Sequence, residues 1–217
     1  MLNQRKEKEQ ERAEVEGRNQ DLMASITLMK EEKDAEAILE EFTEKSEAGE
    51  VTPVVEETIA ADVPEQCQGS THDARQRLID ECLELNIQNT LENYLQDELE
   101  QCCLDQADLI RELIEAQDPE LARIEEEKAR LFAALAEMKG DGATGDAAEA
   151  FRVLQELEFN RMYTGGELEV VTTSFTIPAL ADDCPEGTLE VRQEAERLKD
   201  ELDRLATLCD WLEEQVR

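Results

Sequence analysis

The chain has 217 residues, of which 56 are acidic and 22 basic, for a formal net charge of −34. A surface this negative repels phosphate, so the attraction behind most nucleic-acid binding has the wrong sign. With 36% charged and only 4% aromatic residues the composition suits narrow helix seams better than one compact core, while 40% hydrophobic residues, periodically placed, argue against acidic disorder.

The first residues, Met1-Leu-Asn-Gln-Arg-Lys-Glu-Lys, lack the apolar run of a signal peptide, and no stretch of about 18 apolar residues occurs. The expectation is a soluble, cytoplasmic chain with no membrane contact. Residues 1–48 hold no Pro and one Gly, and Val15, Leu22, Ile26, Met29, Ile38 and Phe42 recur mostly at helical spacing, which predicts one long helix with a thin stripe. Its first 14 residues have almost no apolar content, so that end is solvated or lies on a charged partner. Gly49, Pro53, Pro64 and Gly69 then break the pattern, and residues 49–69 read as an acidic linker.

A second long helix is expected over 70–117, capped by Ser70 or Asp73. Its stripe runs through Leu78, Ile79, Cys82, Leu83, Ile87, Leu91, Tyr94, Leu95, Leu99, Cys102, Leu109, Ile110, Leu113 and Ile114, wider than a coiled-coil seam, which implies more than one neighbour. Residues 81–110 contain eight acids and no Lys or Arg, so a cationic face should lie opposite. A basic partner protein is expected there, with Leu91, Leu95, Leu99, Glu98 and Asp105 as contact residues; the alternative is a solvated acidic face. Residues 1–33, with seven basic and eight acidic residues, are near neutral and are expected to make a different contact.

Asp118-Pro119 reads as a helix restart. A helical hairpin is expected over 118–166, its first arm carrying Leu121, Ile124, Lys128, Leu131, Leu135 and Met138 and ending at Lys139-Gly140. Its second arm opens at Asp146 with Glu149 three residues on, runs through Phe151, Leu154 and Met162, and stops at Gly165-Gly166. Residues 167–187 read as an extended segment and turn, either an ordered linker on the helices or a strand donated to a partner's sheet edge.

The clearest pattern comes last. In the helix expected over 188–217, Val191, Ala195, Leu198, Leu202, Leu205, Cys209, Leu212 and Val216 alternate steps of 4 and 3 without a miss, a coiled-coil seam whose partner helix belongs to this chain or to another. Trp211 lies just off it and should broaden the contact against a third helix.

Catalytic and ligand motifs fail on inspection. Gly140-Asp-Gly-Ala-Thr-Gly145 has phosphate-loop glycine spacing, but Asp146 and Ala147 stand where Lys and Ser or Thr would be needed, and as a calcium loop it lacks side-chain oxygens at Ala143 and Gly145. Cys67 and His72 could pair as a nucleophile but lie at a linker edge. Adjacent Cys102 and Cys103 point to different helix faces, which does not suit zinc. The six cysteines (Cys67, Cys82, Cys102, Cys103, Cys184, Cys209) form no CxxC pair and are expected as reduced thiols.

The expected fold class is therefore all-α, with elongated long helices and coiled coil, a short helical hairpin, extended linkers and no compact globular core. The expected function is a non-enzymatic structural coiled-coil subunit of a large cytoskeletal assembly, a ciliary or flagellar one included. It needs no cofactor or metal and binds helical partners with a basic face, as a hetero-oligomer rather than a homo-oligomer. The alternative is an acidic adaptor or chaperone-like regulator that captures basic proteins.

Overall fold

Helix fills most of the chain in the computed structural model, which describes residues 2–30, 33–55, 64, 68–138 and 146–217. The all-α expectation holds: α1 (Leu2–Met29), α2 (Ala35–Glu47), α3 (Gly69–Glu115), α4 (Asp118–Met138), α5 (Asp146–Thr164) and α6 (Glu186–Val216) follow in order, with no strand among the described residues. Contacts divide the chain into two units, Met1–Gln106 with Ala179–Thr188, and Ala107–Pro178 with Leu189–Arg217, so α3 contributes to both.

In the first unit α1 and α3 run parallel. Arg12 meets Glu81, Asn19 meets Gln88 and Lys30 meets Glu98, each pair 68 or 69 residues apart. A parallel pair within one chain needs a return path, and α2 with the extended residues after it supplies one. Lys45 bonds Glu98, the Phe42 ring lies 5.4 Å from that of Tyr94, and the Val54 N–H donates to Thr90 Oγ1 at 2.9 Å, so the chain travels back down α3.

The unbroken helix expected over 1–48 is corrected by this return. No Pro or Gly marks the break; Asp34 makes it. Its backbone is extended (φ −91°, ψ 174°) and its carboxylate accepts the Ala37 N–H at 2.9 Å, an N-cap that starts a new helix. At the far end Gly49 takes φ 75°, with the Glu50 N–H reaching back to the Lys45 carbonyl, a C-terminal motif that favours glycine. Most of the 49–69 linker lies outside the described residues. Neither Ser70 nor Asp73 caps α3: both lie inside it, after Gly69.

The thiol expectation is also corrected. Cys103 and Cys184 form a disulfide across 81 residues of sequence, with Cα atoms 5.6 Å apart. Spacing along the chain gave no hint, because the pairing is set by where the turn at 182–185 lands on α3. Beside the bond, the Ser25 hydroxyl donates to Asp183 Oδ2 at 2.9 Å, and Leu180 and Ala181 are buried. Cys82, Cys102 and Cys209 remain free and buried, while Cys67 lies outside the described residues.

In the second unit the end of α3, α4, α5, the extended residues after α5, and α6 share one line of buried side chains. Ile110, Ile124, Leu131, Leu135, Phe159 and Phe175 meet the inner face of α6 there. The stop of α5 follows its glycines: Gly166 adopts φ 68° and the Glu167 N–H bonds the Met162 carbonyl at 2.9 Å. The apolar positions expected on α5 need one change. Phe151 and Met162 pack inward with Phe159, but Leu154 points out and is 63% exposed. The arm junction at 139–145, and with it the glycine-rich Gly140–Gly145, lies outside the described residues.

Residues 167–178 form an ordered extended segment that lies on α6, not a free strand. The Val171 N–H donates to Thr207 Oγ1, the Thr173 N–H and hydroxyl both donate to Asp203 Oδ1, and Lys199 Nζ donates to the Phe175 carbonyl. Burial works against ionised Asp203, but the two bonds from Thr173 together with the Lys199 ammonium hold its carboxyl below the ordinary value. Backbone groups spent on α6 side chains are withdrawn from pairing with a foreign sheet.

Candidate partner-binding surfaces

The C-terminal seam is filled from within. Val191, Ala195, Leu202, Leu205, Cys209 and Leu212 are buried, and Leu198 and Val216 pack partly buried against the same cluster. The Cys209 thiol donates to the Ile124 carbonyl at 3.6 Å, and burial pushes that thiol above its ordinary value. Trp211 meets the third helix expected for it: its ring lies 5.9 Å from Phe159 of α5, and the Arg204 guanidinium lies 5.9 Å from the centre of the same Phe159 ring while bonding Asn160. Of the two sources left open for the partner helix, the chain itself supplies it.

The acidic stretch of α3 finds its cations at home as well. Arg12 Nε lies 2.6 Å from Glu81, Arg18 Nε 2.5 Å from Glu92, and Lys30 and Lys45 lie 3.4 and 3.0 Å from Glu98. Leu91, Leu95 and Leu99 are buried beneath these pairs. Glu98, where a basic partner is expected, is bonded by the chain's own Lys30 and Lys45. Asp105, by contrast, is exposed and accepts only from Gln101, one turn back on its own helix. From residues 1–33, where a different contact is expected, Arg12, Arg18 and Lys30 supply cations to the carboxylates of α3.

A network of alternating charge closes the corner between α1 and α2. Glu41 accepts from both Lys33 and Lys45, the latter at 2.9 Å, and Lys45 also reaches Glu98 and the Tyr94 hydroxyl. The hydrogen bond from Lys33, with that from Lys45, lowers the Glu41 carboxyl to about 2, and the bond from Glu41 raises the Lys45 ammonium in turn. A cavity of about 570 Å³ opens beside this network between Val51–Val54 and the 93–98 stretch of α3. Its lining carries Lys45, Glu50, Asp97 and Glu98, of which Lys45 and Glu98 bond each other at 3.0 Å.

The α1–α3 seam was readable in the sequence by spacing, though not by hydrophobicity. Lys8, Arg12, Val15, Asn19, Leu22, Ile26 and Met29 alternate steps of 4 and 3, and Leu78, Glu81, Leu85, Gln88, Glu92, Leu95, Leu99, Cys102 and Gln106 do the same. Polar residues at the shared positions hid the pairing. Asn19 is buried at its centre, its amide donating to the Gln88 carbonyl and side-chain oxygen at 3.1 and 3.0 Å.

Exposed apolar side chains are spread along the chain, Leu28, Leu104, Leu109 and Met138 among them. His72 sits exposed on α3. Leu83 and Ile87 on α3, and Val153, Leu154 and Leu157 on α5, are apolar side chains left facing out. No group of three or more His, Cys, Asp or Glu suited to a metal ion occurs among the described residues, and no helix among them is long and apolar enough to cross a membrane. Comparison with protein-family models, with curated proteins and with solved structures finds no match to this chain.

Proposed function

We propose that the chain is a non-catalytic, acidic helical subunit that joins other proteins in a larger assembly. The observation that carries this reading is the division of labour among its apolar faces: the two heptad seams are consumed inside the chain, while α5 keeps an apolar face outside. Earlier grounds for a coiled-coil partner at α6 do not enter, because that seam is filled. The address we attach, a cytoplasmic assembly of cytoskeletal or ciliary type, rests on the 47-residue α3, about 70 Å of continuous helix. The three buried free thiols among the described residues suit such a setting, while the Cys103–Cys184 disulfide is a feature of oxidising ones.

A second reading, an acidic adaptor that captures basic proteins, is favoured by the fate of the cations. Arg12, Arg18, Lys30 and Lys45 are tied to carboxylates inside the first unit, which leaves the excess of acid on the outside. Crosslinking mass spectrometry on native material tests both. Lasting links to other chains that survive about 0.5 M salt support the subunit; links that vanish with salt support the adaptor, since exposed charge is screened within a few Å there. Links confined to this chain would sink both.

A further inference from the structure

We propose that the outer face of α5, centred on Ala150, Val153, Leu154 and Leu157, is a docking site for an amphipathic helix of another protein that carries Lys or Arg beside its apolar stripe. This deepens the reading above and rests on it.

α5 is apolar on two sides. One side, with Phe151, Phe159 and Met162, is spent on the core of its unit. The other places residues 150, 153, 154 and 157 at the i, i+3, i+4, i+7 spacing of a helix-packing face. These positions face out: Val153, Leu154 and Leu157 are 42%, 63% and 59% exposed. Three aliphatic side chains at that spacing, without a single aromatic among them, fit the grooves of a second helix.

The charges beside the stripe choose the occupant. With 150 and 157 in the a position of a heptad, Glu149 and Glu156 both fall at g, where charges set partner and orientation. Among the described residues each pairs with Arg152, at 2.6 and 3.9 Å on the surface, pairs weak enough to exchange for a partner's cation. Glu158 flanks the other side of Leu154 and is exposed. A second copy is disfavoured by the same carboxylates. Antiparallel packing of two copies would set Glu149 against Glu156 of the other, and any packing brings together two chains of net charge −34. A basic amphipathic helix relieves both problems, its leucines on the stripe and its cations on the glutamates.

The probe is a pair of synthetic helical peptides, identical in their Leu stripe, with Lys or Glu at the flanking positions. The full chain should bind the Lys peptide and not the Glu peptide, and hydrogen exchange should show new protection over residues 150–157. Leu154→Ser with Leu157→Ser removes the stripe and leaves the charge unchanged, so binding should weaken about tenfold or more. Circular dichroism should show the same helix content, because both side chains are exposed; the milder Leu157→Ala gives a smaller loss in the same direction. Protection located elsewhere on the chain, or equal binding by the Ser variant, would overturn the assignment of this face while leaving an interaction protein intact. A concentration-dependent dimer in sedimentation, abolished by the Ser pair, would overturn it in favour of a second copy.

Discussion

The seam of α6 and the seam between α1 and α3 share one spacing and differ in nearly everything else. Along α6 the repeating positions are Leu, Val, Ala and Cys, and Leu202 and Leu212 have no exposure at all. Along α1 and α3 the same positions include Arg12, Asn19, Glu81, Gln88 and Glu92, bonded across the pair. The first arrangement maximises apolar burial and says little about alignment, since one leucine resembles the next. The second gives up burial and gains register: a slip of one heptad would face Asn19 with Leu95 and Arg12 with Gln88, leaving buried polar groups unmatched. The chain thus appoints one helix pair for stability and another for alignment.

The sharpest test of that division is to damage the apolar seam. Leu202→Ala deletes fully buried atoms and should cost about 2–5 kcal/mol, depending on how far the site collapses. Trp211, the only Trp, reports on this unit, so its fluorescence in urea should show the loss as an earlier midpoint. Removing the disulfide strikes the other unit. Replacing Cys103 and Cys184 with Ser frees a loop of 81 residues and should cost about 2–4 kcal/mol. Hydrogen exchange should rise first at 179–188, where Leu180 and Ala181 are otherwise buried; unchanged exchange there would show that the bond ties nothing down.

Legibility in the sequence followed the same division. The α6 seam could be read directly because its period is written in aliphatic residues, and the stop of α5 because glycines carry it. Apolar periodicity showed stripes on α1 and α3 but not their pairing: Lys8, Arg12 and Asn19 on one and Glu81, Gln88, Glu92 and Gln106 on the other look like a solvated face until their partners are known. Besides the 4-and-3 spacing, the absence of Lys and Arg between Glu81 and Ile110 pointed to it, and that signal named the chemistry of the partner without its identity. The break at Asp34 was hidden for a related reason, because an aspartate inside a charged helix reads as surface until its carboxylate is seen on the Ala37 amide. The disulfide had no local signal, since its two halves meet only after α3 and the 179–188 turn are in place.

Acid titration sharpens the account of the polar region. Glu41 is lowered from 4.5 to about 2, first by Lys33 and then by Lys45. A carboxyl lowered on folding contributes stability that is whole above its unfolded value and lost as pH falls through its folded one. The Glu41→Gln variant should therefore unfold more easily than the parent at neutral pH, by about 1 kcal/mol after allowance for solvent screening. The gap should narrow below pH 4.5 and close near pH 2. Comparing parent with variant isolates Glu41 from the many other carboxylates that titrate over the same range, and amide exchange across residues 35–47 reads the corner directly. A gap that stays constant down to pH 2 would mean that the side chain acts through its shape and not its charge.

The smallest expected effect decides whether register or energy is the business of the α1–α3 seam. Glu81 is 11% exposed and Arg12 32%, joined at 2.6 Å, a pair closer to the surface than to a core. A double-mutant cycle with Arg12→Gln and Glu81→Gln should return a coupling of about 0.5 kcal/mol, well under the loss at Leu202. Each single variant should cost more than the coupling, because it strands the other partner beside an amide that cannot replace its charge. A coupling of several kcal/mol would make the ion pairs the principal glue of this unit and erase the contrast with α6. A small coupling fits an alignment device: each pair adds little, but Arg12–Glu81, Asn19–Gln88 and Lys30–Glu98 are satisfied together only at the offset of 68 or 69 residues that the helices adopt.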